Sequence, residues 1–220
     1  DDTEGEGVFL DGRRLTAPEE RAFRPALSRA GEQLLAAACV KVDGRYRPVI
    51  LTPARVVLES EGQCFHVRLS GDRAAWEERD GATSRAVFAR LDPASGREVE
   101  REVVDDARAP DLQGDDRIFI RPSTGAVVLN GQVVPDAGAD ADMPVVRRGP
   151  HALWCAWHAR AGDGDLLRWL RLRRDGEPVD VGPTAVDLRA SGTDQGWEFP
   201  ALAIAPDGVV ALAGRSAHGW

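Results

Sequence analysis

Residues 75–91 read "AWEERDGATSRAVFARL" and residues 156–172 read "AWHARAGDGDLLRWLRL". At a constant offset of 81, without gaps, Trp76 meets Trp157, Arg79 meets Arg160 and Gly81 meets Gly162. Arg90 meets Arg171, Leu91 meets Leu172, and Phe88 meets Trp169, aromatic on aromatic. Each copy reads as a strand ending near a Trp, a Gly-containing turn and a second strand bearing an aromatic residue. A further turn follows each copy, "DPASGREV" in one and "RDGEPV" in the other. A unit that recurs after tens of residues is one supersecondary motif stacked on its neighbours.

Working outward, a second echo joins "MPVVRRGPHALWCAWHARAG" (143–162) to "FPALAIAPDGVVALAGRSAHGW" (199–220). Both open on an apolar residue and Pro, run into a strand, turn at a Pro and run into a second strand. From about Ala36 onward, short apolar runs such as "AACVKV", "ARVVLE", "CFHVRL", "RIFIRP" and "VVALAG" alternate with turn dipeptides. The dipeptides are Asp43-Gly44, Asp80-Gly81, Asn130-Gly131, Asp163-Gly164, Asp175-Gly176 and Asp207-Gly208. Such pairs supply the positive φ that tight hairpins need. The pattern predicts an all-β meander over residues 36–220, as a sandwich or a propeller. The internal repeat favours four-stranded meanders of the propeller kind. On these residues the chain resembles an irregular bacterial β-propeller, with distantly sialidase-like blades.

The sialidase likeness has its own motif. Sialidases carry the turn Ser-x-Asp-x-Gly-x-x-aromatic. In "SGTDQGWEF" (191–199), Asp194, Gly196 and Phe199 fit it, but Gly192 replaces the leading Ser and Ser191 stands one place early. In that family the motif marks a structural turn, remote from catalysis. Sialidase-type catalysis depends on a Tyr nucleophile. Here the single tyrosine, Tyr46, sits in "DGRYRP", which reads as a hairpin turn. No GxSxG, Walker-type loop, HExxH or GxGxxG is present. No catalytic residue is assigned and no cofactor is expected.

Residues 1–35 read differently. "DDTEGEG" is acidic and Gly-rich, with little to bury. In "LTAPEERAF", Thr16 as cap, Pro18 in the first turn and Glu19 three residues beyond the cap predict a helix start. A second short helix is expected through "ALSRAGEQLL".

The net charge of −8 supplies no basic face for a sequence-independent grip on nucleic acid. No apolar run has the length of a membrane span. Only Lys41 is a lysine; arginine takes every other cationic position, the codon bias of a GC-rich genome. Cys39, Cys64 and Cys155 are few, odd in number and without a CxxC. That argues against a disulfide framework and for a reducing compartment, so a cytoplasmic location is expected.

The stretch "HALWCAWH" (151–158) raises a metal question. A zinc site would use His151, Cys155 and His158, with Cys64 and His66. Cys155 and His158, three apart on a strand, point to opposite faces, and no pair has finger-like spacing. The repeat puts Ala74 and Glu77 at the matching places, so the segment reads as a strand and no metal is assigned. Asp163 and Asp165 lack the carboxylates and glycine placement of a calcium loop and read as a hairpin turn. Arg168, Arg171, Arg173 and Arg174 read as the solvated face of a strand.

A propeller blade has four strands. The last unit shows two before Trp220, so the chain is expected to end in mid-blade. A second polypeptide or remaining segment would complete the propeller, with Trp197 and Trp220 at the interface. These observations imply a non-catalytic module for protein–protein interaction. The alternatives are a hydrolase- or lyase-type propeller whose site a further segment completes, and an adaptor or protease substrate of a bacterial multi-gene system.

Overall fold

The structure, a computed structural model, describes residues 7–135, 137, 139–161, 164–173, 178–180 and 197–216. Within these residues the chain is all strand and turn. The strands are β1 (Phe9–Leu10), β2 (Arg13–Arg14), β3 (Ala22–Ala30), β4 (Gln33–Val42), β5 (Arg45–Thr52) and β6 (Val56–Val57). Next come β7 (Gln63–Ser70), β8 (Arg73–Asp80), β9 (Thr83–Leu91), β10 (Glu98–Asp105) and β11 (Arg108–Gln113). Then follow β12 (Asp116–Arg121), β13 (Ala126–Leu129), β14 (Gln132–Val133) and β15 (Ala139–Arg148). The last are β16 (Ala152–Ala161), β17 (Gly164–Arg173), β18 (Pro178–Asp180), β19 (Trp197–Ile204) and β20 (Val210–Ser216). The chain divides into two compact units, residues 1–114 and 115–220.

The first unit holds two antiparallel four-stranded sheets, β3-β4-β5-β6 and β7-β8-β9-β10. Leu35, Ala37, Cys39 and Ile50 of the first pack with Cys64, Val67, Trp76, Val87 and Leu91 of the second. The alternate residues of β4, Ala36, Ala38 and Val40, form a separate core with Val8 on the opposite face. So β4 is buried on both sides. That requires small or apolar residues at every position and erases the polar alternation of a one-sided strand.

This explains why the expected N-terminal helices are absent. "ALSRAGEQLL" is rich in helix formers, yet it is the β3–β4 hairpin, turning at Gly31, whose φ is 61°. Ala26–Ala30 alternate half-buried and exposed positions against buried β4, and that pairing overrides local propensity. "LTAPEERAF" makes only a turn, with Glu20 N donating to Ala17 O and Ala17 N donating to the Glu20 carboxylate at 2.8 Å. Thr16 instead accepts a bond from Val8 N. Strand β4 runs unbroken through residues 35 and 36.

In the second unit, β12, β13 and β14 pair in that order, β15-β16-β17-β18 form a four-stranded sheet, and β19 pairs with β20. Ile118, Ile120, Val127, Val146, Cys155 and Trp157 share one core. The propeller-like reading therefore holds at the level of repeated four-stranded antiparallel meanders.

The offset of 81 is a structural repeat in detail. Trp76 pairs with Val87 across β8–β9, and Trp157 with Arg168 across β16–β17. Ala75 faces Phe88 as Ala156 faces Trp169, and Arg73 faces Arg90 as Trp154 faces Arg171. Both tryptophans are buried, as are Leu91 and Leu172. Asp43-Gly44 and Asn130-Gly131 form the expected turns, with positive φ at all four residues. Asp163, Asp175 and Gly176 lie outside the described residues.

A second regularity concerns the first strand of a sheet. In β3 the register shifts between Phe23 and Ala26, in β15 between Asp142 and Val145, and in β19 between Glu198 and Ala201. Each shift brackets one X-Pro pair: Arg24-Pro25, Met143-Pro144 and Phe199-Pro200. Each inserts one extra residue against the partner strand, a β-bulge. Arg24 and Met143 have φ of 52° and 48°, and Ala109, before Pro110 in β11, has 47°. In β7 the same one-residue shift falls between Cys64 and His66, and His66 takes the proline's place.

Candidate functional site

The bulges matter because they aim polar side chains inward. In the first unit, Arg24 on β3, His66 on β7 and Glu77 on β8 meet. Arg24 Nη1 lies 2.8 Å from His66 Nδ1. A guanidinium only donates, so Nδ1 is the acceptor and the imidazole proton sits on Nε2. That nitrogen faces Glu77 Oε2 at 3.8 Å, beyond hydrogen-bond range. Glu77 is fully buried and instead accepts from Ala109 N at 2.8 Å and from Arg79 Nε. Arg79 also stacks on Phe65, its guanidinium 4.3 Å from the ring centre. Arg68 reaches buried Asp111 at 3.5 Å. Burial, and then the charges of Arg24, Arg68 and Arg79, lower the His66 pKa to about 3. At neutral pH His66 is therefore an uncharged acceptor.

Beside this cluster, Glu78 receives Trp76 Nε1 at 2.8 Å and Arg85 Nε at 2.9 Å. Burial pushes its carboxyl upward, but these bonds outweigh burial and hold it below the ordinary value. Among the cysteines the structure departs from the expectation. Cys39 on β4 and Cys64 on β7 form a disulfide that joins the two sheets of the first unit. Three scattered cysteines conceal one pair that the fold brings together. Cα separation of 5.6 Å suits a bridge.

The metal candidates thus separate. Cys64 is consumed by the disulfide and His66 by Arg24. His151 is exposed, Cys155 is buried in the core of the second unit, and His158 is half-buried opposite Asp142. Among the described residues no group of three His, Cys, Asp or Glu is placed to hold a metal. Tyr46 is on β5 and packs edge-on to Phe23, with ring centres 4.7 Å apart. Arg168, Arg171, Arg173 and Trp197 are placed by their backbones in β17 and β19. Asp194, Gly196, Arg174 and Trp220 lie outside the described residues.

No family model and no curated protein matches the chain. Among solved structures it is similar to a GH43 endo-arabinanase from Bacillus licheniformis. That likeness has 13% identity and a TM-score of 0.38 over 89% of this chain and 95% of the other.

A different part of the first unit is open to solvent. Between β6 and the start of β10 lies a groove of about 550 Å³, lined by Arg55, Val56, Val57, Glu59, Arg97 and Glu98. Val57 is 45% exposed, and Val99 and Val103 on β10 are 50% and 43% exposed. Arg101 fixes this rim: it pairs with Glu98 at 3.0 Å, reaches Glu59, and covers the Trp76 ring at 5.3 Å. Burial and the nearby Glu59 raise the Glu98 carboxyl despite Arg101. Its Oε2 is buried and accepts no hydrogen bond. Sequence reasoning missed both sites. The signal was present for the bulges, in "FRPAL", "DMPVV" and "EFPAL", where an X-Pro pair opens an apolar run. The groove had no comparable signal, because it joins residues some forty apart.

Proposed function

We propose that this chain is a protein-interaction module that docks a partner through the outer rim of its first unit. The observation that carries the reading is the β6–β10 groove, lined by exposed Val57, together with two further exposed valines, Val99 and Val103, on β10. Apolar side chains gathered at a concave, polar-rimmed place mark contact sites. The inner cluster supports the same division of labour. Arg24, His66, Glu77 and Arg79 are committed to one another, so that cluster acts as a structural network. The hydrolase alternative gains no nucleophile from Tyr46, whose ring is packed against Phe23.

The compartment follows the cysteines. Disulfides persist where the surroundings are oxidising. The Cys39–Cys64 bridge supports a location outside the reducing cytoplasm.

A photo-crosslinking amino acid at position 57 or 99, introduced in producing cells, tests the docking site. The expected result is one discrete adduct from each, lost when Val103 is replaced by Glu. The same label at Asp43, an exposed hairpin position, should give none. Equal labelling from all three positions, or none from 57 and 99, refutes the site.

A further inference from the structure

Building on the docking site proposed above, we infer that the outer edge of β10 accepts a basic, extended peptide segment of a partner as an added strand. Among the described residues β10 is the last strand of its sheet, paired with β9 on one side. It is eight residues long, and such an edge presents unpaired N–H and C=O groups to any extended chain. Its sequence, "EVEREVVD", sets exposed Val99 and Val103 among four carboxylates and one arginine.

Charge selects the occupant. β10 carries Glu98, Glu100, Glu102 and Asp105 against Arg101, and Glu59 and Asp106 stand beside it. The neighbouring cations are Arg90, paired with Glu100 at 2.7 Å, Arg55 and Arg97 in the groove, Arg73 near Glu100, and Arg85, which stands opposite Asp105 and is held by Glu78 and Glu61. β10 itself is net acidic, four carboxylates against one arginine, which disfavours a second copy of the same edge and favours lysine or arginine on the incoming strand. Glu98 adds a specific acceptor. Its buried Oε2, without a donor, lies at the groove end of the edge, where one cationic side chain would complete it.

The test uses the full chain and an acetylated, amidated eight-residue peptide alternating lysine and valine. Two comparison peptides are an alternating glutamate–valine peptide and a lysine–valine peptide N-methylated at alternate residues. The expected result is binding of the first peptide alone, with amide exchange over residues 98–105 slowed at least tenfold and affinity falling as salt rises. Val99→Arg/Val103→Arg should weaken it at least tenfold, with an unchanged melting temperature showing that the fold is intact. Equal binding of the N-methylated peptide means ionic attraction alone and overturns the added strand. Absence of lysine–valine binding also overturns it. If the crosslinks from 57 and 99 then persist, docking stands with another partner chemistry; if they vanish too, both readings fall.

Discussion

His66 is a titratable side chain held in its neutral form by its surroundings. Its folded pKa, about 3, lies below the ordinary 6.5, so between those values the unfolded chain binds a proton that the folded chain refuses. Stability must then rise with pH across this window and level off above it, by up to about 1.4 kcal/mol per pH unit. Urea titrations at pH 5 and pH 6.5 should show the wild type weaker at pH 5. His66→Gln, which keeps an acceptor for Arg24, should flatten that difference; an unchanged slope would remove His66 as its source. Glu78 adds the same sign at lower pH, because its depressed carboxyl must be protonated for the fold to loosen. Glu78→Ala should cost about 3 kcal/mol in a denaturant melt, since Trp76 and half-buried Arg85 lose their shared acceptor. At this scale the sequence was informative about size and opaque about partnership. Trp76 and Trp157 were readable as anchors because they recur. The Arg24–His66 pair spans 42 residues and follows no periodic pattern.

The elements show why strands were legible and the N-terminal helices were misread. Hairpin turns announce themselves through Asp-Gly and Asn-Gly, because few residues take positive φ at low cost. Residues 26–35 send the opposite signal: Ala, Leu, Arg, Glu and Gln are strong helix formers, and their pairing as the β3–β4 hairpin is fixed by the core that β4 enters, not by local preference. The Trp157 anchor makes an element-level prediction. Its indole donates to Ala137 O at 2.7 Å. Trp157→Phe should cost about 1–3 kcal/mol through the abandoned carbonyl, and Trp157→Ala about 3–5 kcal/mol through the cavity. A Trp157→Phe loss near zero would show that the hydrogen bond contributes nothing.

For the whole molecule, the disulfide lies in the first unit only. It closes a loop between residues 25 apart in sequence, which in the chain-entropy account is worth about 3 kcal/mol. Cys39→Ala/Cys64→Ala should lower the stability of residues 1–114 by roughly that amount. Hydrogen exchange in β16 and β17 provides the internal comparison and should stay unchanged. Thiol counting of the denatured, unreduced chain should find one reactive cysteine, Cys155; three would contradict the bridge. The sequence revealed the meander but concealed the division at Gly114 and Asp115, because that division is set by which cores the strands share. No composition shift marks it.

The shared pairing of residues 73–91 and 154–172 has a consequence for how the two hairpins have parted company. Exchanging one for the other would preserve every backbone pairing within the hairpin and both tryptophans. It would also carry Glu78 onto the place of Ala159, which is sealed in apolar surroundings, and Arg85 onto the place of Leu166. The frames are interchangeable and the interiors are not. A single carboxylate, with the guanidinium that answers it, is enough to make each copy a stranger in the other's seat.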